Sequence, residues 1–158
     1  MINILFVCLG NICRSPMAEF VFKNMVDENE LTQSFCVRSA ATSDWEVGND
    51  THRGTKEKLL QKGVPMEKRA AVMLDKSDYD KYDFIIGMEK QNLVDIIKIV
   101  GEDINKKVYS LLDFTQNPRD IKDPWYTGDF DATYDDITKG CSALLSYIKA
   151  NCLDVQNF

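Results

Sequence analysis

A cysteine, five intervening residues, then an arginine and a serine stand directly behind an apolar run. Ile2-Asn3-Ile4-Leu5-Phe6-Val7 leads into Cys8-Leu9-Gly10-Asn11-Ile12-Cys13-Arg14-Ser15. The run has the length and composition of a buried parallel strand, and Pro16 suits the first turn of a helix. A strand–loop–helix of this kind gathers backbone N–H groups and a helix N-terminus about one point, which is an anion site. Arginine adds a planar fork of donors that matches two phosphate oxygens. Amide dipoles and Arg14 favour the thiolate of Cys8 over the thiol. Sulfur beneath a bound phosphate monoester is a nucleophile aimed at phosphorus. A cysteine that ends a buried strand can also be a small apolar residue and nothing more. Arg14, Ser15 and Gly10, where the backbone can come close to an anion, favour the catalytic reading.

Splitting a phosphate ester needs a proton for the leaving oxygen and later a base to activate water. One carboxylate can serve both steps in turn. Asp123, in Lys122-Asp123-Pro124-Trp125-Tyr126, is the candidate, with Pro124 fixing its presentation. Asp-Pro is also a common turn starter, and Asp113, Asp120 and Asp129 are other acidic loop residues. Trp45, Trp125 and Tyr126 offer flat apolar walls for an aryl group. His52 is the only histidine. It stands in a polar loop, where solvation is expected, and no spacing supports a Cys–His hydrolase.

The segment from Cys8 to Pro16 resembles the phosphate-binding loop (P-loop) of the low-molecular-weight protein tyrosine phosphatases. The likeness extends to Ser39-Ala40-Ala41-Thr42-Ser43, to the stretch from Asp83 to Leu93 and to the Asp123 segment. It implies a phosphocysteine intermediate on Cys8, phosphate binding by Arg14 and general acid–base work by Asp123. Leu9, Gly10, Asn11, Ile12, Cys13 and Ser15 would line or brace the loop, with Trp45, Trp125 and Tyr126 around the substrate. Asn11 would brace through its amide, and Ser15 would donate a hydrogen bond to the sulfur as it leaves. Cys13 resembles the second cysteine that pairs with the nucleophile on oxidation, implying redox regulation. The family implies acid phosphatase activity on phosphotyrosine proteins and small aryl phosphates, without metal or cofactor, and inhibition by phosphate-like oxyanions.

Two departures stand out. Relatives carry a histidine that braces the positions of Asn11 and Ser39, and here Lys68 is expected to occupy its place, in Glu67-Lys68-Arg69-Ala70-Ala71-Val72. Glu89 stands where aspartate is common. Arsenate reductases of similar fold need further cysteines near the third strand, where this chain reads Ile86-Gly87-Met88-Glu89. Protein-arginine phosphatases tend to carry threonine in place of Ile12, whose bulk suits a phenyl ring. A phosphotyrosine-binding module without catalysis would not require Cys8, Arg14 and Asp123 together. A flavodoxin-like electron carrier would share only the architecture.

The elements that must position these residues alternate, which points to an α/β fold. The expectation is one domain over residues 1–158, an open, mostly parallel four-stranded sheet with helices on both faces. Strands are expected at Ile2–Val7, Ser34–Ala40, Asp83–Met88 and Lys107–Leu112. Helices are expected at Met17 to about Asn29, Arg53–Lys62, Lys90–Val100 and Tyr134–Asn151, with a long loop from Asp113 to Asp131. Ligands bind at the carboxyl ends of such strands, where the Cys8 loop and the long loop both emerge.

A net charge of -6 argues against a nucleic-acid surface, and no apolar run could span a membrane. Asp44, Glu46, Asp50 and Asp129 suggest an acidic rim favouring basic flanks on a substrate. Five cysteines without framework spacing, and no leader before the first strand, point to a reducing, cytoplasmic setting.

Overall fold

The N-terminal apolar run forms β1 (Ile2–Cys8), and its side chains alternate between two cores. Ile4, Phe6 and Cys8 point to one face of the sheet, Leu5 and Val7 to the other. A strand buried on both faces belongs in the middle of a parallel sheet. In the computed structural model, which describes residues 1–153, the chain folds accordingly. The tail of the expected domain, residues 154–158, lies outside the described residues. β2 (Phe35–Ala41) and β3 (Phe84–Gly87) flank β1, and β4 (Val108–Ser110) pairs with β3. The order is β2-β1-β3-β4, and every pairing is parallel.

The helices are α1 (Arg14–Glu28), α2 (Arg53–Gln61), α3 (Asp78–Lys81), α4 (Lys90–Val100), α5 (Pro124–Thr127) and α6 (Phe130–Asn151). α1, α2 and α6 cover the face that carries Ile4 and Phe6, through Met17, Phe22, Leu59, Ile137 and Leu144. α3 and α4 cover the other through Tyr79, Ile96 and Val100. Helices therefore lie on both faces, as expected.

Two helices start earlier than expected. α1 starts at Arg14 rather than Met17, so that Arg14 and Ser15 belong to its first turn. α6 starts at Phe130 rather than Tyr134, because the Asp129 carboxylate accepts a hydrogen bond from the amide of Ala132 at 2.9 Å. The long loop is also more ordered than expected. A short 3₁₀ turn, Leu111–Phe114, ends β4 early, with the Asp113 carboxylate accepting from Ser110 N at 3.0 Å. Further on, Asp123 caps the single turn of α5, with Pro124 at its first position and left-handed Gly128 closing it.

Gly140 on α6 sits against Leu111, and a β-carbon there would lie 2.5 Å from Leu111 Cγ. Leu111 is fully buried and has nowhere to go. Gly140→Ala is expected to destabilise the fold by about 1–3 kcal/mol, outweighing alanine's better helix propensity. A urea titration should show a lower midpoint with an unchanged slope. A midpoint at or above wild type would mean that α6 can slide off Leu111.

Candidate active site

Successive crossovers run in opposite directions from β1, so the sheet has its switch point between β1 and β3. A cavity of about 220 Å³ opens there, lined by Cys8, Leu9, Gly10, Ile12, Cys13, Arg14, Trp45, Glu46, Asp123, Trp125 and Tyr126. Cys8 ends β1, Trp45 follows β2, and Asp123 arrives on the chain after β4.

The Cys8 sulfur lies where backbone donors converge. The amides of Asn11 and Ser15 point at Sγ from 3.3 and 3.4 Å, and Ser15 Oγ is 3.0 Å away. Asn11 and Ser15 are wholly buried and are not among the cavity-lining residues, so their side chains act from behind the loop. Cys13 does line the cavity. Burial, then the Cys8 sulfur and Asp123, push its thiol up to about 12, which leaves it protonated at neutral pH.

Arg14 is 1% exposed, and each end of its fork is occupied. Nη1 donates to the carbonyl of Ile121 at 2.8 Å, and Nη2 donates to Glu89 at 3.1 Å and to Asp123 at 3.3 Å. A buried guanidinium requires such partners. The backbone of Glu89 is fixed at the start of α4, where its N–H donates to Asn92 Oδ1 at 3.1 Å. The segment that carries Asp123 is docked on the β3–α4 turn. Ile121 N donates to the Met88 carbonyl at 2.9 Å, and Asp120 accepts from Lys90 N at 3.0 Å. Asp113, Asp120 and Asp129 each hold backbone amides outside the cavity. Of the four candidate acids, Asp123 is the one on the cavity wall.

Trp45 and Tyr126 are 70% and 74% exposed, and with Trp125 they stand around the mouth. His52 is not simply solvated. Its Nδ1 accepts from Gly54 N at 2.9 Å to cap α2, and its ring stacks on Phe130 and meets Trp125 edge-on. The acidic rim is narrower than expected. Glu46 lines the cavity, while Asp129 caps α6 and Asp50 is bound to Lys56 at 2.6 Å.

The brace behind the loop is the main difference from the sequence reading. Lys68 is exposed and takes no part in it. Arg69 holds Asn11 instead, donating to its main-chain carbonyl at 2.9 Å and to its side-chain oxygen. Ser39 pairs with the buried carboxylate of Glu19 at 2.6 Å. Glu89 and Arg69 are therefore site residues that the sequence reading did not place. A carboxylate at a helix N-cap was the available signal for Glu89. Nothing local marked Arg69.

A profile of the family described as "Low molecular weight phosphotyrosine protein phosphatase" matches residues 3–154. The chain is 36% identical over 151 residues to the low molecular weight protein-tyrosine-phosphatase YfkJ of Bacillus subtilis, covering 94% of this chain and 97% of that one. It is 34% identical over 149 residues to PtpA of Staphylococcus aureus, covering 94% of each. The crystal structure of YfkJ superposes with a TM-score of 0.94 at 35% identity, over 97% of this chain and 98% of that one. A Drosophila arginine phosphatase superposes with a TM-score of 0.83 at 28% identity, over 94% and 98%.

Asp50 anchors the segment that delivers Arg69, accepting from Arg69 N at 3.2 Å. Its carboxyl is held down at about 2, chiefly by the Lys56 hydrogen bond and further by the Thr51 and Arg69 amides, against the cost of burial. A depressed folded value contributes stability that is present above about pH 4 and lost as pH falls through about 2. Asp50→Asn should therefore lower the urea midpoint at pH 6, and its gap from wild type should close towards pH 2. A gap of constant size across that range would show that the Asp50 charge contributes nothing.

Proposed function

The chain belongs to the low-molecular-weight protein-tyrosine-phosphatase family, and on that premise we propose that it hydrolyses phosphotyrosine and small aryl phosphates through a phosphocysteine on Cys8. The observation that carries the reading is one cavity, walled by Trp45, Trp125, Tyr126 and Ile12, with Cys8, Arg14 and Asp123 together on its lining. Phosphate oxygens would take over the Arg14 fork and the loop amides, where charge spreads as phosphorus is transferred. The sulfur attacks phosphorus in line, the S–P bond forms and the P–O bond breaks. Asp123 gives its proton to the leaving phenolate. In the second step Asp123 takes a proton from water, the water oxygen bonds to phosphorus, and the electron pair of the S–P bond returns to sulfur. Ser15 Oγ, 3.0 Å from that sulfur, supports its departure.

The similarity to an arginine phosphatase makes phosphoarginine the competing substrate. Ile12 favours the aryl group, because it adds apolar surface to the wall and no acceptor for a guanidinium. Hydrolysis of a phosphotyrosine peptide beside a phosphoarginine peptide, in chelator and reductant, tests the choice. Rapid phosphate release from phosphotyrosine, absent in Cys8→Ser, is the expected result. Release from phosphoarginine alone would keep the chemistry and replace the substrate. Asp123→Ala should lower kcat by about 10²–10⁴-fold on poor leaving groups and far less on activated ones. Equal losses across leaving groups would move the acid elsewhere.

Cys13 shares the cavity with the nucleophile, and we read it as a guard against overoxidation. Peroxide would convert Cys8 to a sulfenic acid. The Cys13 sulfur would then displace hydroxide, and the proton it gives up would complete a molecule of water as the disulfide closes. Mass spectrometry after mild peroxide should find a reducible Cys8–Cys13 bridge in wild type and Cys8 sulfinic acid in Cys13→Ala. Sulfinic acid at Cys8 in both would refute the role.

A further inference from the structure

Asn11 has a φ of 57°, a left-handed conformation that asparagine tolerates better than most residues but that still calls for outside support. Arg69 supplies it with both arms of its fork. One arm donates to the Asn11 main-chain carbonyl and the other to Oδ1, while Val72 N donates to the same Oδ1 at 3.1 Å. Arg69 is itself set by Asp50 on its backbone amide, and the next residues are tied down through Ala71 N to Asn49 O at 2.7 Å. Burial works against its charge, while Glu19, Cys8 and Asp50 favour it.

These donors decide which way the Asn11 amide faces. Reversed, the amide would set its own N–H groups against Arg69 and Val72. In the observed orientation Nδ2 donates to Ser15 Oγ at 2.7 Å. The hydroxyl oxygen thus accepts from Asn11, and its own hydrogen is left for Cys8 Sγ at 3.0 Å in preference to the Ala40 carbonyl at 3.5 Å. If the amide were free to turn, Oδ1 would claim that hydrogen at a shorter distance than sulfur can.

We propose that Arg69 is a positioning residue for catalysis: by fixing the orientation of the Asn11 amide, it aims the Ser15 hydroxyl hydrogen at the Cys8 sulfur. The chain of effect runs Arg69, Asn11, Ser15, Cys8, and it matters most when the S–P bond breaks and charge returns to sulfur. The fork is essential, because two acceptors on one residue must be held together, and lysine offers a single point of charge.

The proposal rests on the phosphatase reading, and one set of measurements separates the two. Hydrolysis of para-nitrophenyl phosphate is followed for wild type, Arg69→Ala, Arg69→Lys, Asn11→Ala and the Asn11→Ala/Arg69→Ala double variant, with circular dichroism melts to confirm folding. Arg69→Ala should lower kcat about tenfold, the loss of a charge-assisted hydrogen bond, with KM changed less than twofold. Arg69→Lys should not restore the rate, and if the alanine variant fails to fold, it carries the test in the same cycle. In the Asn11→Ala background the Arg69 substitution should cost less than twofold, because the residue through which it acts is gone. An unchanged kcat in Arg69→Ala, full rescue by lysine, or an equal loss with and without Asn11 would each overturn the proposal. Absence of turnover in wild type would instead count against the phosphatase reading itself.

Discussion

Burying one guanidinium organises the site. Arg14 is 1% exposed, and a charge taken that far out of water is tolerable only with close, well-aimed partners. Its partners come from two segments. Glu89 follows β3, while Ile121 and Asp123 lie on the segment after β4. None is near Arg14 in sequence, so the sheet must close in the order β2-β1-β3-β4 before the cation is satisfied. Loop conformation, helix entry and sheet topology are thereby coupled, since a fault in any one strands a charge in the interior.

The sulfur has the complementary requirement. Because α1 begins at Arg14, the amide of Ser15 lies in its first turn and is free of any intrahelical acceptor. It points at Cys8 Sγ together with the amide of Asn11. The loop therefore offers N–H groups on the inside and the guanidinium at its rim. Fixed dipoles of this kind need little reorganisation when charge moves on to or off the sulfur. The rigidity has its source behind the loop, in Asn11, Ser15, Ser39 and Glu19, all buried and all hydrogen-bonded.

Features with a local cause could be read from the sequence. The alternation of β1 between two cores, the pattern of α4 and the Cys8–Arg14 spacing depend on residues within one or two turns of each other. The start of α6 was harder, because a capping carboxylate such as Asp129 weighs little against a polar stretch yet sets where the helix starts. Asp123 was singled out from Asp113, Asp120 and Asp129 by the family resemblance and not by local chemistry, and of the four it is the one that lines the cavity. Arg69 was beyond reach for a different reason. Its contacts with Asn11 span 58 positions, and neighbouring Lys68, the same distance from a familiar motif, carries the same charge. Only the direction in which each side chain leaves the backbone separates them.

The ion pairs of Arg14 also bear on how a phosphate would be received. Arg14 is shared between Glu89 and Asp123, and those two carboxylates are not equivalent. Glu89 stands off the cavity lining and pairs with the guanidinium at 3.1 Å. Asp123 lines the cavity and pairs at 3.3 Å, so the longer of the two contacts is the one an entering anion meets. An incoming dianion competing for the same guanidinium nitrogen would therefore displace Asp123 more readily than Glu89. That exchange keeps one anion fixed to orient the arginine and frees the other beside the cavity, where a leaving oxygen would need its proton. The proposed acid would thus double as a counter-ion of the buried cation and exchange that contact for phosphate.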